Sequence, residues 1–316
     1  MLYFCTNNKD MLFLSMKKIA FIIIIVCSAL TAQAQLLYSI SGKGNGQKSY
    51  ILGTYHFAPP SFCDSIPGLW KALDEVKQVC GELVMADMAN TENLTKFQSA
   101  MMLPEGVTLQ SLMTEEEMGR LNTLCKEIMG TDFTNPLIAN QLGKFTPGAL
   151  YEQLIVMLYM SKTPNFNPND AIDNYMQSKA LEKGYEVTGF ETIDEQINIL
   201  FKSQTLERQK TLLMCFVDNR DFMMQQTDDL TAAYFRQDLE SIKTITDEKF
   251  NDACDSTEEE EELLISGRNA NWAQKMPEMM SAKNTLFVVG AAHLVGEKGV
   301  LQLMRDAGYV VEPVTR

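Results

Sequence analysis

Histidine is nearly missing from this chain: its 316 residues hold only two, His56 and His293. Several common ways of building an active site are missing too. No C-x-x-C pair occurs, which removes a thiolate zinc site and a thioredoxin-like redox motif. No G-x-S-x-G elbow, H-E-x-x-H helix or P-loop occurs, so serine-hydrolase, zincin and nucleotide-phosphate chemistries have no sequence support. Glycine (18) and proline (10) are too sparse for a collagen-like or low-complexity chain. Positive charge is also short, with 27 Lys and Arg against 41 Asp and Glu, a net −14. A chain this acidic repels a phosphate backbone and has no basic cluster to offset it, so no nucleic-acid partner is expected.

What remains is the balance of a globular protein, 46% hydrophobic and 22% charged. The first residues read as a processing signal. Met16-Lys17-Lys18 is basic, Ile19–Leu30 is almost wholly apolar, and Thr31-Ala32-Gln33-Ala34 has the small-x-small form that predicts cleavage after Ala34. The apolar run is shorter than the roughly 20 residues of a membrane-spanning helix. The expected organisation is residues 1–34 as an N-terminal extension with cleaved signal peptide, and 35–316 as a single domain. That domain is expected to be periplasmic or extracellular, with no stable membrane anchor after cleavage. It would keep 24 basic and 40 acidic residues and five cysteines, Cys63, Cys80, Cys125, Cys215 and Cys254. Five is odd, so export permits a disulfide that the sequence does not demand.

Strand patterns fall at Tyr38–Ile40, Ser49–Leu52, Val79–Met85, Tyr185–Phe190, Thr285–Val289 and Tyr309–Val314, with mostly helical spacing in between. A helix over 170–183 is predicted, capped by Asn169 or Asp170 and stopped by Gly184. Thr192-Ile193-Asp194-Glu195 has the form of a capping box. The acidic run Glu258–Glu262 reads as a solvated loop or first helical turn. Strands at both chain ends imply an α/β fold: one central mixed β-sheet assembled from N- and C-terminal segments, covered by a large helical body.

The two histidines share a context. Gly53-Thr54-Tyr55-His56 and Gly290-Ala291-Ala292-His293 each follow an apolar strand, 237 residues apart. Glycine permits a tight turn or a close approach. Each histidine is thereby set just past a strand's carboxyl end, where open α/β sheets bind ligands. An imidazole there serves as a metal ligand or proton carrier. Two carboxylates stand at similar positions. Glu82 lies inside an apolar run, where its charge needs a cation, either a metal or a partner such as Arg268. Glu191 has a competing role in the first turn of its helix, where the dipole favours an acid.

At these residues the sequence resembles the TraB/GumN family, which includes the Tiki proteases. The resemblance rests on Leu52-Gly53-Thr54-Tyr55-His56, Gly81-Glu82-Leu83, Ala171-Ile172-Asp173, Gly189-Phe190-Glu191-Thr192, Arg268-Asn269 with Trp272, and Val289 through Leu294. It implies a fold related to erythromycin-esterase-like and haem-binding ChaN-like proteins. It also implies that His56, Glu82 and His293 gather in one pocket, supported by Gly53, Gly290, Glu191, Arg268 and Asn269. From Tiki-like members it implies a divalent ion (Mn, Co or Zn) held by His56, Glu82 and His293, and proteolysis.

Two functions follow as expectations. One is an exported metal-dependent hydrolase, a peptidase, in which His56, Glu82 and His293 are catalytic and the substrate is a peptide or small molecule. The other is a non-catalytic exported protein that binds a peptide, a signal or a haem-like ligand.

Overall fold

The computed structural model describes residues 35–42, 45–168 and 170–315, so the expected signal peptide lies outside the described residues. Six strands form one sheet in the order β4-β3-β5-β2-β1-β6. They are β1 (Leu37–Gly42), β2 (Asn45–Thr54), β3 (Gln78–Gly81), β4 (Glu186–Gly189), β5 (Thr285–Gly290) and β6 (Val310–Pro313). β2, β5, β3 and β4 run parallel, while β1 is antiparallel to both β2 and β6. The sheet is therefore mixed and drawn largely from the two ends of the chain, the α/β arrangement that the strand patterns imply. Residues 285–289 of β5 are buried, which fits a central parallel strand with both faces covered and explains its unbroken apolar run.

Helices supply much of the rest, and two larger apolar clusters form among the described residues. One packs on the sheet around Trp272, Phe287, Leu52 and Tyr234. The other lies within the helical body around Leu109, Leu121, Leu150, Leu213 and Phe216. Helix Leu206–Phe235 serves both, Leu213 and Phe216 in one cluster and Ala233 and Tyr234 in the other. It kinks at Asn219 (φ −117°, ψ 24°), whose side chain donates to the Cys215 carbonyl at 3.1 Å and so inserts into the helical hydrogen-bond ladder.

Local signals in the sequence translate unevenly. Thr192 and Glu195 form the reciprocal capping box that opens helix Ile193–Ile197. The expected cap of the helix after residue 169 differs: it runs Ile172–Glu182, with Ala171 at the capping position and no side-chain cap. Asp170 instead accepts a hydrogen bond from Asn167. The acidic run is a first helical turn, Glu258–Glu261, but not wholly solvated, because Glu260 receives two hydrogen bonds from Arg208 at 2.8 Å. Cys215 and Cys254 form a disulfide, whereas Cys63, Cys80 and Cys125 are buried free thiols whose burial pushes each up to about 12. Among the described residues no helix is long and apolar enough to cross a membrane.

Candidate functional site

The four parallel strands end at one edge of the sheet, and each is followed within three residues by an ionisable side chain. His56 follows β2, His293 follows β5, Glu82 follows β3 and Glu191 follows β4. Strand pairing fixes this alignment: Thr54 pairs with Gly290, and Gly81 pairs with both Val288 and Gly189. His56, Glu82 and His293 line one cavity of about 410 Å³, whose walls are mainly apolar and include Tyr55, Leu83, Ile199 and Leu230. Arg268 and Asp173 also reach it.

The two motif glycines serve different needs. Neither has a positive φ, so neither makes the tight turn that glycine alone permits. Gly53 provides close approach: a Cβ there would lie 2.8 Å from Leu294 Cδ1 and 3.1 Å from Ala291 Cα, inside the loop after β5. Gly290 has room for a Cβ, and its contribution is its N–H, which donates to Glu82 Oε1 at 2.8 Å.

His293 is held on every side. Asn269 Nδ2 donates to the Lys298 carbonyl, which leaves Asn269 Oδ1 to accept from His293 Nδ1 at 2.7 Å. The proton is thereby assigned to Nδ1, and the Nε2 lone pair accepts from Arg268 Nη1 at 3.2 Å. The Trp272 ring lies 4.5 Å from the imidazole. Burial pushes His293 down to about 4, with Arg268 adding to the effect and Glu82 opposing it, so the ring is neutral near pH 7.

Arg268 is the hub. It donates to Glu82 Oε2 at 2.5 Å and grips Glu191 with two bonds of 2.8 and 2.9 Å. Trp272 Nε1 and Gln196 Nε2 complete the Glu191 shell at 2.9 and 3.0 Å. Glu191 is thus a saturated anchor for Arg268, and it precedes the Thr192 cap rather than lying in the first turn of the helix. Burial opposes ionisation of Glu82, but His293, Arg268 and the Gly290 N–H outweigh it and hold the carboxyl below its usual range. With His293 neutral, Arg268 supplies most of that compensating charge near pH 7.

His56 stands apart, its side chain 80% exposed. Its nearest charged neighbour is Asp173, with Nδ1 3.7 Å from Oδ2. Asp173 was missed as a site residue when read from sequence. At the second position of helix Ile172–Glu182 an acid has an ordinary reason to be present, the helix dipole, and its link to Thr54 spans 119 residues.

Among the described residues no three His, Cys, Asp or Glu side chains form a group ready to hold a metal ion. The expected ligand trio of His56, Glu82 and His293 shares a cavity but is not preassembled. Arg268 is the physical reason, since its guanidinium stands on Glu82 Oε2 and His293 Nε2, where a cation would bind. The donor set still suits a divalent ion chemically: two imidazoles and a carboxylate, the mixed nitrogen and oxygen set that such ions take.

Comparison with known proteins adds a family to this geometry. A metalloprotease of Danio rerio, named TIKI2, is 24% identical over 304 residues. The alignment covers 84% of this chain and 58% of that protein, so the chain spans a little over half the length of this curated relative. No solved structure matches significantly. The TraB/PrgY/gumN family matches residues 36–313, nearly everything the structure describes, and the chain belongs to that family.

Proposed function

We propose that this protein is an exported metal-dependent hydrolase acting on peptides, with its site at the carboxyl edge of the parallel strands. The observation that carries the reading is the convergence of His56, Glu82 and His293 on one cavity from three adjacent strands. The name of the Danio rerio relative supports the hydrolase class and the use of a metal. His56, Glu82 and His293 would hold the ion, and Arg268 must withdraw from Nε2 before His293 can ligate. Bound there, a divalent ion polarises a scissile carbonyl and lowers the pKa of a water.

The remaining chemistry belongs to the chain's own groups. If Glu82 is instead the base, kept ionised by Arg268, it accepts the proton of the attacking water and returns it to the leaving amine. Arg268, released from His293, donates to charge developing on the carbonyl oxygen. The apolar wall around Leu83, Ile199 and Leu230 excludes water and seats an apolar side chain of the substrate.

Untagged protein loaded with Mn²⁺ or Co²⁺ is expected to retain close to one ion and to cleave members of a peptide library. His56→Ala is expected to lose the ion and His293→Ala the cleavage. In Glu82→Gln the fold is expected to survive while Mn²⁺ no longer raises the thermal midpoint, as it does in the wild type. A second reading, a binding protein without catalysis, is favoured by the way Arg268 already satisfies Glu82 and His293. Absence of a bound ion at any pH, with no cleavage, would establish it over the first.

A further inference from the structure

The two histidines differ in what holds Nδ1. Asn269 Oδ1 accepts from His293 at 2.7 Å, while the corresponding neighbour of His56 is a carboxylate at 3.7 Å. That carboxylate is fixed through one oxygen and unsatisfied at the other. Thr54 Oγ1, at the end of the strand leading to His56, donates to Asp173 Oδ1 at 2.8 Å. Oδ2 is buried and has no hydrogen-bond partner. A buried acceptor left unpaired bears its full desolvation cost with nothing to offset it. Of the neighbouring donors, Thr54 is committed to Oδ1, and the nearby Gln177 amide is spent on the Leu83 carbonyl and the Met85 N–H. The imidazole of His56, exposed and otherwise unclamped, is the group that can swing in.

We infer that Asp173 is the positioning residue of His56: its Oδ2 captures the imidazole through Nδ1–H and turns Nε2, with its lone pair, toward the cavity. Asp173 would then do for His56 what Asn269 does for His293, and both rings would offer the same nitrogen. The 3.7 Å separation closes to a hydrogen bond by a small rotation of the ring, as groups in resting sites commonly do when the site is engaged. The carboxylate is the stronger orienter of the two, because a hydrogen bond to an ionised acceptor is shorter and stronger than one to a neutral amide oxygen.

This inference rests on the proposed role of His56 in the site, yet its test needs no turnover. With only two histidines in the chain, ¹⁵N imidazole shifts of untagged, metal-free protein resolve both tautomers, and loss of one set in His56→Gln assigns His56. Wild-type protein is expected to show His56 with its proton on Nδ1. Asp173→Asn turns an N–H donor toward the ring, so the proton is expected to move to Nε2, and Mn²⁺ affinity to fall at least tenfold, with His293 unchanged. Asp173→Ala and Thr54→Val are expected to weaken the Nδ1 preference without reversing it, and they carry the test should Asp173→Asn not fold. A role in the fold alone would lower the melting temperature of these variants and leave the His56 tautomer where it was. Identical His56 spectra in wild type and the folded variants, or an Nε2–H tautomer in the wild type, would overturn the inference. If the tautomer moves as expected while no variant or wild type cleaves any peptide, the inference stands and the hydrolase reading fails.

Discussion

His56 and His293 leave adjacent parallel strands at the same edge of one sheet, yet their side chains are 80% and 6% exposed. The loop after β2 presents an imidazole that touches little, and the loop after β5 presents one bonded at both nitrogens. Identical spacing after a strand fixes where each backbone emerges. It does not fix what packs over it. Helix Gly267–Ala282 brings Arg268, Asn269 and Trp272 onto His293, whereas helix Ile172–Glu182 brings Asp173 only to 3.7 Å from the exposed His56. One half of the site is preorganised, and the other is left to close.

The sharpest way to break this comparison is at Arg268. Arg268→Met leaves the Glu82 and Glu191 carboxylates without their cation, so a loss of about 3–5 kcal/mol is expected in urea unfolding. A loss below about 1 kcal/mol would mean that the β5 side is not clamped in the way its geometry implies.

Acid should expose the next difference. Burial holds His293 at about 4 against an ordinary 6.5, so between those values the unfolded chain takes up a proton that the folded chain refuses. Metal-free protein is therefore fully stable in this respect above pH 6.5. Stability then falls as pH drops toward 4, by up to roughly 3 kcal/mol. His293→Gln should flatten that limb of the profile.

The glycines offer a smaller contrast. Gly53→Ala forces a Cβ against Ala291 and Leu294 and is expected to cost about 1–3 kcal/mol. Gly290→Ala, with ordinary contacts of 3.5 Å, is expected to stay within about 1 kcal/mol of the wild type. Equal costs at the two positions would erase the distinction between close approach and N–H donation.

The smallest effect on stability is expected at His56 itself. His56→Ala removes an exposed ring and should shift the unfolding free energy by no more than about 0.5 kcal/mol, while Mn²⁺ binding measured by calorimetry is lost.

Much of the sheet was legible because its strands carry short apolar runs and because a glycine marks where two of them end. The shared pocket of the two motifs and Glu82 was implied by the family resemblance, and Arg268 was named there as a support and, as an alternative to a metal, as a partner of Glu82. What could not be read were contacts whose cause lies far along the chain. Asp173 meets Thr54 across 119 residues, and each is locally unremarkable. The Cys215–Cys254 disulfide joins residues 39 apart, chosen from an odd set with no diagnostic spacing. Arg268 was legible as a partner of Glu82, but its two further bonds to Glu191 emerge only when the sheet edge is assembled.

Helix Leu206–Phe235 contributes side chains to both of the larger apolar clusters. Its first half is buried in the helical body, and its second half ends at Tyr234, whose hydroxyl donates to the Gly53 carbonyl at 3.1 Å. A fluctuation that frees Leu213 or Phe216 must therefore strain a helix that also supports the loop leading to His56. Segments that share a structural element tend to open together, with a common free energy of exposure. Amide exchange in β2 should then follow exchange in the helical body, so a cavity made at Leu213, remote from any ligand, would be felt as a looser floor under the first histidine.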